Sequence, residues 1–303
     1  MPTARTLRAQ QGDGPFELAD EPAYRAWRAT KLERYPTAIE QLVVQIEDPF
    51  SISASERDAI RERCGRANMA VYAFPPSLDE TAQRRAVLQL GRFMGLEAVE
   101  DHRSRDQDGL VAIEVVESGG RLGYIPYTNR PIAWHTDGYY NFHGPDRAVQ
   151  AMILHCVRDA DGGENGLLDH EIAYLRLRDE NPGHIEALMH PQAMSIPENV
   201  EPSGRVRPTN VGPVFYVDPR SGALGMRYTA RTRSIAWRDD PATRDAADAL
   251  ARILATDPLV LRARLRPGWG LICNNVLHDR TGFTTRQNAG RLLYRIRYHG
   301  LIA

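Results

Sequence analysis

The first hundred residues alternate apolar and polar positions with the period of a helix. Apolar side chains recur every three to four residues in EPAYRAWRATKLERY (21–35) and ETAQRRAVLQLGRFMGL (80–96), which places them on one helical face. SASERDAIRERCGRA (53–67) begins with a serine three residues before a glutamate, a pattern typical of a helix N-cap. NMAVYAF (68–74) is a short apolar run stopped by two prolines, which predicts a strand. We therefore expect residues 1–67 to form a helical region packed on the rest of the chain.

From about residue 110 the apolar positions occur instead in short runs rich in β-branched and aromatic side chains. Turn residues bound most of these runs, and strands and helices do not alternate regularly, which argues against a doubly wound sheet. The predicted strands cover residues 110–116, 147–157, 213–218, 259–265, 270–276 and 291–298.

Two of these strands, 259–265 and 270–276, are separated by Arg-Pro-Gly-Trp, which predicts a hairpin. Helical insertions are expected near residues 168–182 and 240–257. The pattern as a whole favours a single, mainly β domain over residues 1–303, whose core from 68 to 303 is a double-sheet β-sandwich or a jelly roll with flanking helices.

Composition excludes several classes of protein. The 303 residues carry a net charge of −1, with 42% hydrophobic and 25% charged residues, so there is no electrostatic footprint for nucleic acid or an anionic membrane. No apolar run is long enough to span a bilayer. Cys64, Cys156 and Cys273 lie far apart, as is usual for reduced thiols. We expect a soluble cytoplasmic protein with a small-molecule partner, whose helical N-terminal region offers a surface for homo-oligomer contacts.

Candidate metal ligands come from AWHTDGYY (133–140) and from the end of GLICNNVLH (270–278). In a strand, residues two apart point to the same face, so His135 and Asp137 could converge on one ion, although a lone His-x-Asp is also common in loops. With His278 they make two imidazoles and one carboxylate, the facial triad of a non-haem Fe(II) site with three open positions. Three other histidines are expected to be structural: His143, His155 and His170.

Arginines occupy alternate positions of the last predicted strand, RLLYRIRY. Arg291, Arg295 and Arg297 would share one face, which would be badly desolvated in a core unless anions were bound there. The alternative is a solvated outer face. The residues between them are apolar or aromatic and can be buried on the opposite face of the strand. An anion site on the arginine face would then allow both faces of the strand to be buried. Arg291 and Arg295 are roughly 13 Å apart along a strand, too far to hold one carboxylate from a common direction.

These motifs resemble the taurine dioxygenase (TauD/TfdA) family of Fe(II)/2-oxoglutarate oxygenases. The resemblance runs from about residue 65 to the C-terminus and rests on His-Thr-Asp, on Gly-Gly-Glu-Asn at 162–165, and on His278 followed by Arg291. It implies a double-stranded β-helix of the clavaminate synthase type, with Fe(II), 2-oxoglutarate and O2 as cofactors. It also implies that His135, Asp137 and His278 bind iron.

The same resemblance implies roles for three further residues. Arg291 corresponds to the arginine that binds the distal carboxylate of 2-oxoglutarate, and Arg295 to a position that holds substrate or, again, 2-oxoglutarate. Asn165 stands where the family usually has a threonine that also touches 2-oxoglutarate; an amide can still donate a hydrogen bond there.

A narrower resemblance is to the bacterial glutarate hydroxylase branch, carried by GALGMRYTAR (222–231), LICNN and the spacing of the three arginines at 291–297. It implies a small, carboxylate-bearing substrate that is hydroxylated at an aliphatic carbon, with release of succinate and CO2. Because Asp137 is present, hydroxylation, demethylation or desaturation is expected rather than halogenation. The alternatives are a metal-dependent hydrolase or lyase and a non-catalytic ligand-binding protein of the same fold.

Candidate substrate contacts are spread over several segments. Besides Arg295 and Arg297 they are Tyr127 and Asn129 in GYIPYTNRP, Tyr139 beside the metal motif, and Arg227 in a basic cluster with Arg231 and Arg233. Ordinary packing, a proline turn or a solvated loop explains each of these equally well.

Overall fold

Two main β-sheets, four smaller sheets and six α-helices make up the part of the chain that the structure describes. The computed structural model describes residues 14–101, 106–116, 124–200, 204, 206–232, 235–284 and 290–303. Its α-helices are α1 (Glu21–Arg34), α2 (Ala54–Ala67), α3 (Glu80–Phe93), α4 (His170–Glu180), α5 (Pro182–Met189) and α6 (Pro241–Thr256). Short 3-10 turns occur at Ile39–Leu42, Ile125–Tyr127 and Pro145–Arg147. No helix in this part of the chain is long and apolar enough to cross a membrane.

The strands, in chain order, are β1 (Val43–Gln45), β2 (Met69–Ala73), β3 (Val111–Glu114), β4 (Ile132–His135), β5 (Ala151–Arg158), β6 (Asp161–Gly162), β7 (Asn165–Leu168), β8 (Met194–Ile196), β9 (Asn199–Val200), β10 (Val206–Arg207), β11 (Asn210–Gly212), β12 (Phe215–Val217), β13 (Leu224–Met226), β14 (Ala236–Trp237), β15 (Leu261–Ala263), β16 (Trp269–Cys273), β17 (Leu277–Arg280), β18 (Phe283–Thr284) and β19 (Leu292–Tyr298). A major sheet has the order β1-β2-β16-β5-β19-β3, and a minor sheet has the order β15-β7-β17-β4. β1 pairs with β2 in parallel, and the other pairs in these two sheets are antiparallel.

The major sheet is buried on both faces. On β5, Met152 and Leu154 belong to the apolar core that also contains Leu167 of the minor sheet, whereas Ile153 faces the other way, into a second core with Val87 and Leu90 of α3. The inner face of the major sheet therefore packs on the minor sheet, and the outer face is covered by helices. A strand buried on both sides reads as a continuous apolar run, as β5 does.

The predicted helices are confirmed, and their ends follow local capping. Ser53 and Glu56 form the expected capping box at the start of α2. One helix was not predicted: α5, which begins at Pro182. Proline was read as the end of the preceding helix, but at the first position of a new helix its missing N–H costs nothing, and the Asn181 side chain caps that helix.

The predicted hairpin between 259–265 and 270–276 is wrong. β15 pairs with β7 in the minor sheet, and β16 pairs with β2 and β5 in the major sheet. Gly268, with φ of +85°, donates its N–H to Cys156 and accepts from the N–H of Phe74. The turn is thus bound to the major sheet, and it carries the chain from one sheet to the other.

The described part of the N-terminal region, residues 14–67, also contributes to the major sheet, because β1 is its edge strand. The helix α1 docks on α4 through Lys31, which is 6% exposed. Its ammonium group lies 2.6 Å from Asp169 and 2.5 Å from Glu171. A buried ion pair and a shared sheet therefore join this region to the core.

Candidate metal and co-substrate site

His135 and His278 are neighbours on two adjacent strands of the minor sheet. They are register partners on β4 and β17, and their ring centroids are 4.1 Å apart. The Nδ1 atom of His135 lies 3.0 Å from the carbonyl oxygen of Ala133, and that of His278 lies 2.9 Å from the carbonyl oxygen of Val276. A carbonyl oxygen only accepts, so each Nδ1 carries the proton and donates. The Nε2 lone pair of each ring is left available to a metal.

Asp137 completes the group, although not as a strand residue. β4 ends at His135, and Asp137 lies in the turn just beyond it, so the expected i, i+2 arrangement on one strand is wrong. One ligand atom from each of His135, Asp137 and His278 nevertheless lies within 4.8 Å of the others. The turn requires Gly138, whose φ is +74° and where a Cβ atom would lie 2.5 Å from Val149.

Thr136, which lies between the ligands His135 and Asp137, is hydrogen-bonded to Tyr228. The N–H of Thr136 donates to the carbonyl of Tyr228 at 3.0 Å, and the N–H of Tyr228 donates back to the Thr136 hydroxyl at 3.1 Å. Thr136 is fully buried. The central residue of His-Thr-Asp thus holds the backbone from which both ligands project.

Electrostatics keep the three side chains in their metal-binding forms. Burial, together with the neighbouring His278, lowers the pKa of His135 to about 3, and burial also lowers the pKa of His278. Burial raises the pKa of Asp137, but Arg295, Arg297 and the two histidines together lower it by more, so it falls below its usual range. At neutral pH the site holds two neutral imidazoles and a carboxylate, the donor set that suits Fe(II).

The two oxygens of Asp137 have different surroundings. Oδ1 lies 3.2 Å from a nitrogen of Arg295 and 3.6 Å from one of Arg297. Oδ2 is buried and has no hydrogen-bond partner among the described residues. An orphaned buried carboxylate oxygen is costly, and a cation between it and the two Nε2 atoms would satisfy it. These residues therefore fit a metal ion.

A cavity with an empty volume of about 470 Å³, counted out to its mouth, opens beside the histidines. It runs between the two sheets, with Met152, Leu154 and Leu293 on its apolar side. Its polar lining consists of Asn165, Asp279, Arg280, Arg291 and Arg295 together with His135 and His278. An apolar cavity with a few convergent polar groups is the usual form of a small-molecule site.

Arg291 is the unusual member of this lining. It is 5% exposed and lies over the ring of Phe283 at 4.9 Å. Within the described part of the chain its guanidinium has no hydrogen bond to a carbonyl and no ion pair with a carboxylate. Burial lowers its pKa. A buried guanidinium without an anion is unfavourable, so this end of the cavity is suited to a carboxylate.

The predicted division between the faces of the last strand is confirmed. Leu292, Tyr294 and Ile296 pack in the outer core with α3, whereas Arg291 and Arg295 line the cavity on the inner face.

Arg297 shares the inner face, but both of its terminal nitrogens have partners in the protein. It forms a buried ion pair with Glu100 and donates to the Tyr140 hydroxyl at 3.2 Å. Sequence analysis offered Arg297 as a substrate contact, whereas the structure places it behind Asp137. Glu100 was missed, because nothing in its local sequence indicates that it meets a residue almost two hundred positions away.

Arg227 does not reach the cavity. It is 2% exposed, and its donors go to the carbonyls of Tyr139, Met194, Gly212 and Asn210 and to the side-chain oxygen of Asn210. These contacts use all five N–H groups of a guanidinium. The expected substrate contact is therefore corrected: Arg227 ties β8 and β11 to the turn after the metal motif. Arg233 of the same cluster lies outside the described residues.

The remaining candidates divide between the site and its surroundings. The ring of Tyr139 packs edge-on against His135 at 6.3 Å, and Asn165 lines the cavity. Tyr127 is 4% exposed and belongs to the core; its neighbour Pro126, rather than Tyr127, lines the cavity. Asn129 is exposed, and its carbonyl accepts from the N–H of Phe283. Neither of the last two is brought to the metal group.

Arg280 was missed by sequence analysis. It lines the cavity, donates to the carbonyls of Thr128 and Arg130, and has its pKa lowered to about 9 by burial and by Arg291. The signal was available, because Arg280 follows His278 by two residues on one strand and such residues share a face.

The competing histidines lie elsewhere. His143 is exposed and contacts Asn141, His155 contacts Tyr72 and Gln83, and His170 contacts the carbonyl of Leu224. None of them belongs to the metal-binding group found among the described residues.

Comparison with solved structures supports the jelly-roll fold. The non-heme iron oxygenase OrfP, solved with Fe, succinate and (3S)-hydroxy-L-Arg, matches 82% of this chain and 81% of its own at 18% identity, with a TM-score of 0.61. Asparagine oxygenase, solved with Fe(II), 2S,3S-3-hydroxyasparagine and succinate, matches 90% of this chain and 91% of its own. The sequence identity is 15% and the TM-score is 0.51. PvcB from Pseudomonas aeruginosa matches 80% of each chain at 19% identity and 0.53. The predicted fold class is confirmed.

Sequence comparison assigns the family. No curated protein matches the chain significantly, but the family model described as "Taurine catabolism dioxygenase TauD, TfdA family" matches residues 30–297. The family and the dioxygenase activity predicted from the motifs are thereby confirmed. The chain belongs to the taurine catabolism dioxygenase TauD, TfdA family.

Proposed function

We propose that this dioxygenase uses Fe(II), 2-oxoglutarate and O2 to hydroxylate an aliphatic carbon of a small, polar, carboxylate-bearing substrate, and releases succinate and CO2. One observation carries the proposal. The buried metal-binding group of His135, Asp137 and His278 opens onto the same cavity as Arg291, a buried cation without an anionic partner in the described structure.

In this proposal the Nε2 atoms of His135 and His278 and the Oδ2 atom of Asp137 hold the iron. Their protonation states require no change on binding, since both imidazoles are neutral and the carboxylate is ionised. Bound iron supplies the oxygen-activating chemistry of the reaction. The apolar side of the cavity excludes water from it, and the paired hydrogen bonds of Thr136 and Tyr228 keep the ligands in place.

Arg291 then binds the distal carboxylate of 2-oxoglutarate. A guanidinium matches a carboxylate in shape and charge, and this one has no competing partner among the described residues. Asn165 contributes a second contact. Its amide gives one N–H to the carbonyl of Asp279 at 2.8 Å, which leaves the other N–H for the co-substrate, in the position where relatives have a threonine hydroxyl.

Arg295 and Tyr139 are the proposed substrate contacts. Arg295 contacts Asp137 through one terminal nitrogen, while its Nε atom is buried without a partner in the described structure. A substrate carboxylate next to the metal would satisfy it. The relatives support a substrate of this size, because OrfP and asparagine oxygenase were solved with hydroxylated amino acids.

The test is anaerobic. Adding Fe(II) and then 2-oxoglutarate to the metal-free protein is expected to produce a weak visible charge-transfer band, which His135→Ala abolishes. With O2, the wild-type protein should convert 2-oxoglutarate to succinate. Absence of both the band and succinate would overturn the proposal: metal binding without them would indicate a hydrolase or lyase, and ligand binding alone a non-catalytic protein.

A further inference from the structure

Asn275 has an unusual backbone for a residue with a side chain. It follows β16, precedes His278 by three residues, and has φ of +49°. Only two non-glycine residues in the described structure have positive φ, Asn68 and Asn275. Asparagine tolerates this left-handed region better than other residues with a side chain. The conformation turns the Asn275 amide inward, where it is 5% exposed.

The amide of Asn275 grips the backbone of Asp137 on both sides. Its Oδ1 accepts from the N–H of Asp137 at 2.7 Å, and its Nδ2 donates to the carbonyl of Asp137 at 3.0 Å. The second Nδ2 proton goes to the carbonyl of Val149 at 2.8 Å. The donors of this amide are thus fully used, and both polar backbone atoms of one residue are bound by a single side chain.

These two hydrogen bonds from Asn275 are important because Asp137 does not belong to a strand. It lies in the turn after β4, so its N–H and carbonyl have no ladder partners. The two arginines contact only Oδ1 of the carboxylate and leave the direction of Oδ2 to the backbone. Outer contacts of this kind orient ligands in metal sites.

We propose that Asn275 is a positioning residue that fixes Asp137 for metal binding. The proposal rests on the metal site of the proposed function and extends it to a residue that contacts no metal or substrate. It predicts that loss of the Asn275 amide weakens metal binding by more than any general loss of stability would.

Asn68 provides a matched control. It has φ of +55°, its amide donates to Asp169 at 3.0 Å, and its side-chain oxygen accepts from Asn274 at 3.1 Å. It therefore has the same backbone conformation and a hydrogen-bonded amide, but no contact with the metal ligands. Glycine adopts positive φ without strain, so Asn→Gly at either position removes the amide and leaves the backbone free to keep its course.

The experiment is a titration of metal-free protein with Co(II), followed by the visible spectrum of the bound ion, with the unfolding free energy measured in parallel. Asn275→Gly is expected to raise the Kd for Co(II) by about 10- to 100-fold and to alter the spectrum. Asn68→Gly should leave both close to those of the wild type while losing comparable stability. Equal Kd values for Asn275→Gly and wild type would overturn the inference. An equal rise of the Kd for Co(II) in Asn68→Gly would also overturn it.

A second variant covers the case in which Asn275→Gly does not fold. Asn275→Asp keeps the size, the tolerance of positive φ and the acceptor for the N–H of Asp137, but it cannot donate to the two carbonyls. Its Kd should also rise, and an unchanged Kd would overturn the inference. Failure of the proposed function would look different, because wild-type protein would then bind no Co(II), or His135→Ala would bind it equally well.

Discussion

Arg227 and Arg291 are both buried, with 2% and 5% of their surface exposed, but their surroundings are opposite. Every N–H group of Arg227 is bound by an oxygen of the protein. Arg291 lies over the ring of Phe283, and its guanidinium has no hydrogen bond or ion pair with another described residue. The first guanidinium stabilises the fold, whereas the second is left for an anion, so the two should respond differently to the same substitution.

Arg291→Met replaces the cation with an apolar side chain of similar length. Loss of a charged hydrogen-bonded contact worth about 3 kcal/mol should raise the Kd for 2-oxoglutarate about 100-fold. The unfolding free energy of the unliganded protein should be unchanged or higher, because an unpaired buried charge is removed. Anaerobic titration of the charge-transfer band with 2-oxoglutarate measures the first effect, and urea denaturation the second.

The control is Arg227→Met, which leaves several buried carbonyls without donors. Its unfolding free energy should fall by several kcal/mol, about 1 for each lost bond, while 2-oxoglutarate affinity of the folded fraction stays near that of the wild type. The same loss of affinity in both variants would contradict the assignment of Arg291.

At this scale the sequence predicted the metal-binding group but not the partners of each arginine. His-Thr-Asp and His278 are recognisable because their spacing and types are specific. Whether a guanidinium is paired depends on oxygens far away in the chain: Glu100 for Arg297, or the carbonyl of Tyr139 for Arg227. No local pattern encodes those contacts.

Among the elements, β5 is joined to β2 and α3 by a buried histidine. His155 is fully buried, accepts from the Tyr72 hydroxyl at Nδ1 and donates from Nε2 to the side-chain oxygen of Gln83. Burial lowers its pKa to about 3. The neutral ring satisfies both neighbours, whereas a protonated ring would carry a buried charge and could no longer accept from the Tyr72 hydroxyl.

Stability of the metal-free protein should therefore fall in acid. In the unfolded chain His155 takes up a proton below a pKa of about 6.5, whereas in the fold it stays neutral to about 3, so stability is lost as the pH falls between these values. The loss is about 1.4 kcal/mol per pH unit, or about 2 kcal/mol between about pH 7 and pH 5. Urea denaturation of wild type and His155→Gln at both pH values measures it. An equally steep loss in the variant would show that His155 is not responsible.

Helix α1 is held to α4 by the buried Lys31 (6% exposed). Burial lowers the pKa of Lys31, but Asp169 and Glu171 raise it by more, so it lies above the usual value. Lys31→Met should cost about 3–5 kcal/mol of unfolding free energy, because Asp169 is left as an unpaired buried charge. Arg25→Met is the control: Arg25 and Glu21 are 76% and 50% exposed, and such pairs contribute about 0–1 kcal/mol. Similar losses in both variants would contradict this account.

Helices and strands that are marked by a pattern of nearby residues were predicted correctly from the sequence, whereas the pairing of the strands was not. The capping box of α2 is contained in four consecutive residues, so the sequence reveals where the helix starts. The hairpin prediction was wrong because β15 and β16 pair with strands that lie about a hundred or more positions away in the chain. The helix α5 was not predicted because a proline such as Pro182 is compatible both with the end of one helix and with the start of another.

On the scale of the whole molecule, the metal-binding group joins two strands of the minor sheet and the turn after β4. A ligand that binds only the folded state stabilises it, by about 2.7 kcal/mol at one hundred times its Kd. Mn(II), which is stable in air, should therefore raise the melting temperature by several degrees. His278→Ala should abolish the shift, and His143→Ala, an exposed histidine outside the group, should retain it. A shift that survives in His278→Ala would place the metal elsewhere.

The position of β19 has a consequence for how the protein is made. β19 lies between β5 and β3, inside the major sheet, and follows both of them in the chain, so it leaves the ribosome after them. Until then β5 and β3 both present an open edge, the form of sheet most prone to pairing with other chains. The major sheet can therefore be completed only after β19 has been synthesised, and the segment that completes it also brings Arg291 and Arg295 to the cavity. A chain truncated before residue 291 would lack both the strand that completes the sheet and the arginines that line the cavity.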